Sequence, residues 1–397
     1  MLLEIILALL LGTLAGTITG LIPGIHINLI GSILISASLG TLIKVNPIYL
    51  LVFIVAMSIT HTFLDFIPSI YLGAPEAGTE LSVLPGHQLL LKGRGHEAIL
   101  ITLKGSLYAI FSLIILSPFL IWMFPRINPF MKNLIPYILI AISIFLISKE
   151  KRKPYALLIF SLAGILGMLT LNSNLKEPLF PLLTGLFGAS NLFISLKNKT
   201  KIPPQKVRKI KLKIRGFLSP AIFSLITSSI IGFLPGVSSS QSAVISSEIK
   251  KMNPKQFLFL LGATNTIIMI ISFLTYYTIN KTRTGSAAFL KEIIFNLTYK
   301  HLILILIIVL ISGIISYYLG IFFSKKIARN LNKINYSKIS LATLILLVLL
   351  VLVFSRLTGI LIFLSSTLLG IYCIQSKVRR INLMGSLLIP TILLYLF

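Results

Sequence analysis

A Pro-Gly pair interrupts an apolar segment twice in this chain, in Gly20-Leu21-Ile22-Pro23-Gly24-Ile25-His26-Ile27-Asn28 and again in Gly232-Phe233-Leu234-Pro235-Gly236-Val237-Ser238-Ser239-Ser240. Proline lacks the backbone donor and clashes with the preceding turn, so neither segment can continue as one regular helix. In lipid, a broken helix is tolerated only where its freed N–H and C=O groups are buried in protein or line a wet cavity. Two matched interruptions therefore predict a membrane protein of two related halves with its binding site at the breaks.

Composition points the same way. Of 397 residues, 56% are hydrophobic and only 11% charged, more apolar surface than one soluble core could hide. The expected fold class is an all-α polytopic membrane protein. The net charge of +27 forms no basic stripe interleaved with aromatic platforms, which argues against nucleic acid as a partner. The cations lie between apolar spans and read as orientation signals, because Lys and Arg in short loops stay cytoplasmic. The densest run, from Lys197 to Arg215, contains Lys199, Lys201, Lys206, Arg208, Lys209, Lys211 and Lys213 around Pro203-Pro204. It is expected to be a cytoplasmic linker that anionic lipid head groups also attract. Cys373 is the single cysteine, so no intramolecular disulfide is available. The first apolar stretch carries Glu4 instead of a basic n-region and is expected to remain in the mature chain.

Segments long enough for roughly 30 Å of hydrocarbon fall at 48–66, 105–123, 133–148, 155–171 and 178–196, and again at 256–279, 301–323, 341–356, 358–373 and 382–397. Each series follows a Pro-Gly unit, 3–42 or 217–249, whose short, broken arms predict a re-entrant hairpin. The expected organisation is a first membrane repeat over 1–196, a basic linker over 197–215 and a second repeat over 216–397. An odd number of crossings per repeat would invert the second copy relative to the first, the arrangement used for alternating access. With the linker inside, both termini come out external, and Lys149, Lys151, Arg152, Lys153, Lys377, Arg379 and Arg380 fall inside. Lys281, Arg283 and Lys291 do not fit this pattern.

The candidate site residues cluster on the repeated elements. Half-helix N-termini at the breaks would aim N–H donors and a positive dipole end at an anion, with Pro23, Gly24, His26, Asn28, Pro235, Gly236, Ser238, Ser239 and Ser240 around it. Ser58-Ile59-Thr60-His61-Thr62 matches Gly262-Ala263-Thr264-Asn265-Thr266, and Ala77-Gly78-Thr79-Glu80 matches Thr284-Gly285-Ser286-Ala287. Thr60, His61, Thr62, Gly78, Thr79, Thr264, Asn265, Thr266, Arg283, Thr284 and Gly285 are therefore expected at the site. Ionisable groups inside a bilayer are costly and usually paired or functional. Asp65, one turn after His61, is the expected coupling group, with Glu76 and Glu80 as further candidates. Na+ or H+ is the expected coupling ion. His87 and His96 lack metal-ligand spacing, and neither a Walker-type phosphate loop nor a nucleophile motif occurs, so neither a cofactor nor enzymatic chemistry is expected.

Gly-x-x-Pro-Gly in both halves, Tyr71-Leu72-Gly73-Ala74-Pro75, the run from Leu84-Pro85-Gly86-His87-Gln88 to His96-Glu97-Ala98, Gly262 to Thr266, and Arg379-Arg380-Ile381-Asn382-Leu383-Met384-Gly385-Ser386 together resemble the TctA family, the large permease subunit of tripartite tricarboxylate transporters. The resemblance covers most of the chain. It implies a secondary transporter of an anionic, carboxylate-bearing solute, with a small membrane subunit and an extracytoplasmic binding protein as partners. The chain departs from that pattern in being shorter and in placing His26 and Ser238 to Ser240 in the loops. The second loop, Pro235-Gly236-Val237-Ser238, is also similar to a loop of a bacterial family implicated in returning polyprenyl phosphate across the membrane. That likeness implies the alternative of a translocase for a polyprenyl-phosphate lipid carrier.

Overall fold

The computed structural model describes residues 2–22, 27, 30–31, 45–73, 79, 81–173, 175, 178–197, 203–207, 214–232, 234, 239–331 and 336–397. Among these every regular element is helical. The first half carries α1 (Leu2–Leu21), α2 (Pro47–Leu64), α3 (Phe66–Tyr71), α4 (Val83–Leu90), α5 (Gly95–Ser148) and α6 (Lys153–Leu171). It ends in α7 (Leu179–Leu183), a π-helical turn (Thr184–Ala189) and α8 (Ser190–Lys197). The second half carries α9 (Ile214–Ile231), α10 (Ser239–Ile249), α11 (Pro254–Ile279), α12 (Gly285–Ile293), α13 (Tyr299–Asn330) and α14 (Tyr336–Gln375). It closes with a 3-10 turn (Arg380–Met384) and α15 (Gly385–Leu396). Among the described residues seven helices are long and apolar enough to cross a membrane, and four shorter apolar helices accompany them.

Two of these spans form the centre. The apolar windows of Pro47–Tyr71 and Pro254–Ile279 are each 94% buried, whereas the other long spans are 22–39% buried and leave the rest of their surface for lipid. Asn46 caps the start of α2 and Asn253 caps α11 with a full capping box, each followed directly by proline at the first helical position. The partners of the central helices exchange between halves: α2 packs on α1 and on α13, and α11 packs on α9 and on α5. Likewise α6 packs on α15, and α14 packs on the π-turn and α8.

Glycine makes these contacts close. A Cβ at Gly12 or Gly16 of α1 would come within 2.4 Å of the carbonyl oxygens of Phe53 and Met57. A Cβ at Gly105 of α5 would lie 2.2 Å from the carbonyl oxygen of Phe259, and one at Gly262 of α11 would lie 2.2 Å from that of Thr102. Between apolar helices in lipid, such backbone proximity replaces the hydrophobic driving force with dispersion and weak polar contacts.

The long helices differ from the separate spans expected at 105–123 and 133–148. α5 remains helical through Pro118, Pro125, Pro129 and Pro136, and if straight it would measure about 80 Å. Its start lies at the start of α11, where Glu97 pairs with Arg94 at 2.6 Å and Lys255 at 2.7 Å. Asn128 is at the far end of α11, where it accepts a bond from Lys281 at 2.8 Å. Glu150 is back near the starting end, paired with Arg379 at 2.6 Å, and Arg379 in turn lines a cavity with Gln88, Glu248 and Pro254. The chain therefore bends back in its proline-bearing stretch, giving apolar arms Gly95–Phe130 and Asn133–Ser148. α14, by contrast, is two helices that meet at a break at Arg356, whose φ of 52° is left-handed, in agreement with the spans expected at 341–356 and 358–373. The first arm of the N-terminal unit also exceeds its expected length, since α1 is an unbroken 20-residue helix. α10, with 11 residues, is only about 16 Å long, half of a bilayer core.

Basic loops gather at one end. The linker residue Gln205 accepts from the Gly95 amide at 2.8 Å and donates to the Leu90 carbonyl at 3.0 Å, and Lys206 N donates to Gly93 O. Arg379 joins Glu150 to Glu248, and Arg152 donates to the Ser376 carbonyl. Burial would lower the Arg379 pKa, but its hydrogen bonds to the two carboxylates outweigh this and raise it.

Replacing Gly105 with leucine should force α5 and α11 apart. Overpacking of this kind costs about 1–3 kcal/mol or more, read as a lowered melting temperature of the detergent-purified protein; an unchanged transition would mean the two helices separate freely.

Candidate functional site

The central helices place polar groups where lipid cannot reach, so each needs a partner. On α2, Ser58 is hydrogen-bonded to Ser286 of α12 at 2.6 Å, and Thr60 accepts from Ser316 of α13 at 2.9 Å. His61 Nδ1 lies 3.1 Å from Thr19 Oγ1 of α1, and Thr62 lies 3.3 Å from Thr266 of α11. One buried helix thus uses its polar side chains to hold four different neighbours.

Asp65, 2% exposed, occupies the joint between α2 and α3. Asn265 of α11 donates through Nδ2 to Asp65 Oδ2 at 2.9 Å, and Ser239, the first residue of α10, donates to Asn265 Oδ1 at 3.2 Å. This chain of two hydrogen bonds runs from a carboxylate of the first half to the first described turn of the short helix α10 in the second. α10 is a full helix, so its first amides and positive dipole end point toward the same place. Ser240 is buried beside Ser239.

The other described candidates have partners of their own. Thr264 bonds its own helix at the Leu261 carbonyl, 3.0 Å away. Thr79 lies 2.7 Å from Ser69 of α3, whose hydroxyl also bonds the Asp65 carbonyl. Thr284 caps α12, which begins at Gly285, and bonds Ser272 of α11 at 3.0 Å. Arg283 is not left solvated in its loop: its guanidinium donates to the carbonyls of Ile231 and Leu234, the latter at 2.7 Å. It therefore adds a second donor to the Ile231 carbonyl, which also accepts from Leu234 N at 2.9 Å, and covers the Leu234 carbonyl just past α9, at the end where a cation is electrostatically favoured. This gives the Arg283 cation, at odds with the charge pattern, a structural partner. Pro23, Gly24, His26, Asn28, Glu76, Gly78, Glu80, Pro235, Gly236 and Ser238 lie outside the described residues.

The structure also recruits residues not selected from the pattern: Thr19, Ser58, Ser69, Ser272, Ser286 and Ser316. The available signal was spacing. Ser272 lies seven positions after Asn265, and Ser58 four before Thr62, each on the polar face of its helix. Among the described residues no cluster of three or more His, Cys, Asp or Glu could hold a metal.

The sequence matches the model of the tripartite tricarboxylate transporter TctA family over residues 6–385. It is also similar to an uncharacterized protein of Methanocaldococcus jannaschii, at 31% identity over 355 residues that cover 87% of this chain and 88% of the relative. No solved structure matches it significantly.

Arg283→Met should remove the guanidinium donor from the Leu234 carbonyl and leave the Ile231 carbonyl with only its Leu234 N–H partner, a loss of about 1–3 kcal/mol. Amide exchange in the last turn of α9 should rise while α2 stays protected; unchanged exchange at both would remove the structural role assigned to Arg283.

Proposed function

We propose that this chain, which belongs to the tripartite tricarboxylate transporter TctA family, is a secondary transporter that binds a carboxylate-bearing anion beside Ser239, Asn265 and Asp65 and moves it by alternating access coupled to a cation. The observation that carries this reading is the hydrogen-bonded path from Ser239 through Asn265 to Asp65. It links the two halves of the chain at a buried carboxylate and at the N-terminus of a broken helix. A half-helix N-terminus suits an anion, whereas an ionised Asp65 repels one.

That opposition supplies coupling. At effective dielectric constants found in proteins, two like charges a few ångströms apart repel by several kcal/mol. A proton or Na+ on Asp65 removes the repulsion, so cation and anion bind together and cross together. The exchanged packing, with α2 against α13 and α11 against α5, supports two inverted repeats over 1–196 and 216–397 with 197–215 as a cytoplasmic linker. Rocking of one repeat unit against the other would then open the site to each side in turn. A small membrane subunit and an extracytoplasmic binding protein complete the proposed system, as the family's tripartite description suggests.

Asp65→Asn fixes the neutral state. In proteoliposomes this variant should exchange solute across the membrane but lose accumulation driven by a Na+ or proton gradient. Continued gradient-driven accumulation would remove Asp65 from coupling. Ligands that bind the folded state raise its apparent stability, so citrate and related carboxylates should raise the melting temperature of the purified protein. Stabilisation by short-chain polyprenyl phosphates with no response to any carboxylate would favour the lipid-carrier translocase instead.

A further inference from the structure

Between α1, α3 and α13 the surface opens into a groove of about 410 Å³, lined by Leu21, Ile67, Tyr71, Phe323 and Ile327 together with the polar Lys326 and Asn330 of α13. At roughly 30 Å³ per water molecule the space equals about fourteen waters, but its walls are mostly hydrocarbon. Of these, α1 and α13 are peripheral, each with a 39% buried window, and both present exposed apolar side chains beside the groove, Leu14 and Ile18 on one and Tyr318 and Phe322 on the other. The groove therefore opens toward lipid.

The α13 wall also carries charge. Lys325, Lys326 and Arg329 lie exposed in the last turns of α13, a helix with no acidic residue in its sequence. Among the described residues Lys326 has no carboxylate partner, and its stem follows the Phe322 ring, with Nζ 6.0 Å from the ring centre. The groove's base is fixed, because the Tyr71 hydroxyl donates to the Ser324 carbonyl at 3.1 Å and His96 lies 2.8 Å from the Ser324 hydroxyl. His96 and Ser324 are at the end of the molecule where the basic loops gather.

We propose that this groove is a binding site for an anionic phospholipid of the inner leaflet, with one acyl chain between α1 and α13 and the phosphate held by Lys326. A largely apolar slot with Lys326 in its wall and Lys325 and Arg329 exposed in the same turns of α13 matches both parts of such a lipid, and basic pockets between spans on the cytoplasmic side are recognised by anionic head groups. Ile67 and Tyr71 belong to α3, which starts directly after Asp65, so an occupant braces the element that carries the buried carboxylate.

The test uses the purified full chain in detergent, titrated separately with phosphatidylglycerol, phosphatidylcholine and a short-chain polyprenyl phosphate while its melting temperature is followed. Phosphatidylglycerol should stabilise at lower concentration than phosphatidylcholine, by about fivefold for each cation engaged. Lys326→Gln should abolish that preference without changing the melting temperature in phosphatidylcholine, and Lys338→Gln, an exposed cation away from the groove, should retain it. Equal response to both phospholipids, or undiminished preference in Lys326→Gln, overturns the site. A Lys326-dependent response to polyprenyl phosphate alone overturns the phospholipid assignment. Loss of carboxylate binding in the same preparation would count against the transport reading and leave this result intact.

Discussion

Polar side chains sealed inside an apolar bundle must find each other, and that requirement holds this protein together. α2 and α11 are the two most enclosed spans, and each carries hydroxyl, amide, imidazole or carboxylate groups that cannot reach water or head groups. A buried hydrogen-bonding group left without a partner costs about 1–3 kcal/mol. Ser58, Thr60, His61, Thr62 and Asp65 are accordingly matched with Ser286, Ser316, Thr19, Thr266 and Asn265. The partners lie on four helices, so the orientation of α2 about its axis is fixed from several sides at once.

Glycine sets how near those helices can come. The approach of α1 to α2 and of α5 to α11 brings backbone carbonyls to where a methyl group would otherwise stand. Short polar side chains such as serine and threonine reach across only at such distances. Backbone proximity and side-chain pairing are thus one arrangement, and widening the first would undo the second.

Where the helices break, the same rule is met by other means. Arg283 covers carbonyls at the end of α9, and Arg380 does so for the π-helical turn by donating to the carbonyls of Leu186 and Phe187. Both arginines turn a local interruption into a stable joint. α10 is held at both ends: Ser239 contacts Asn265 near the buried carboxylate, and Glu248 pairs with Arg379 at the basic end. A short helix tied in this way can respond to events at the carboxylate and at the loops together.

Hydropathy and local pattern determined by themselves that this chain is a polytopic helical membrane protein and that Asp65, Asn265 and Ser239 are unusual residues in apolar surroundings. Those signals are readable because span length, proline breaks and the cost of burying a polar group are properties of a short stretch of chain. The tertiary structure alone decided which groups meet. Asp65 and Asn265 are separated by 200 positions, and nothing in either segment specifies the other as partner. The reversal of α5 within its prolines was also hidden, since proline permits a bend without stating its angle. Arg283 reads as a ligand candidate because a charge near a helix break is suited to a solute and to chain carbonyls alike; the packed position of α9 shows its carbonyl partners, which no local pattern specified.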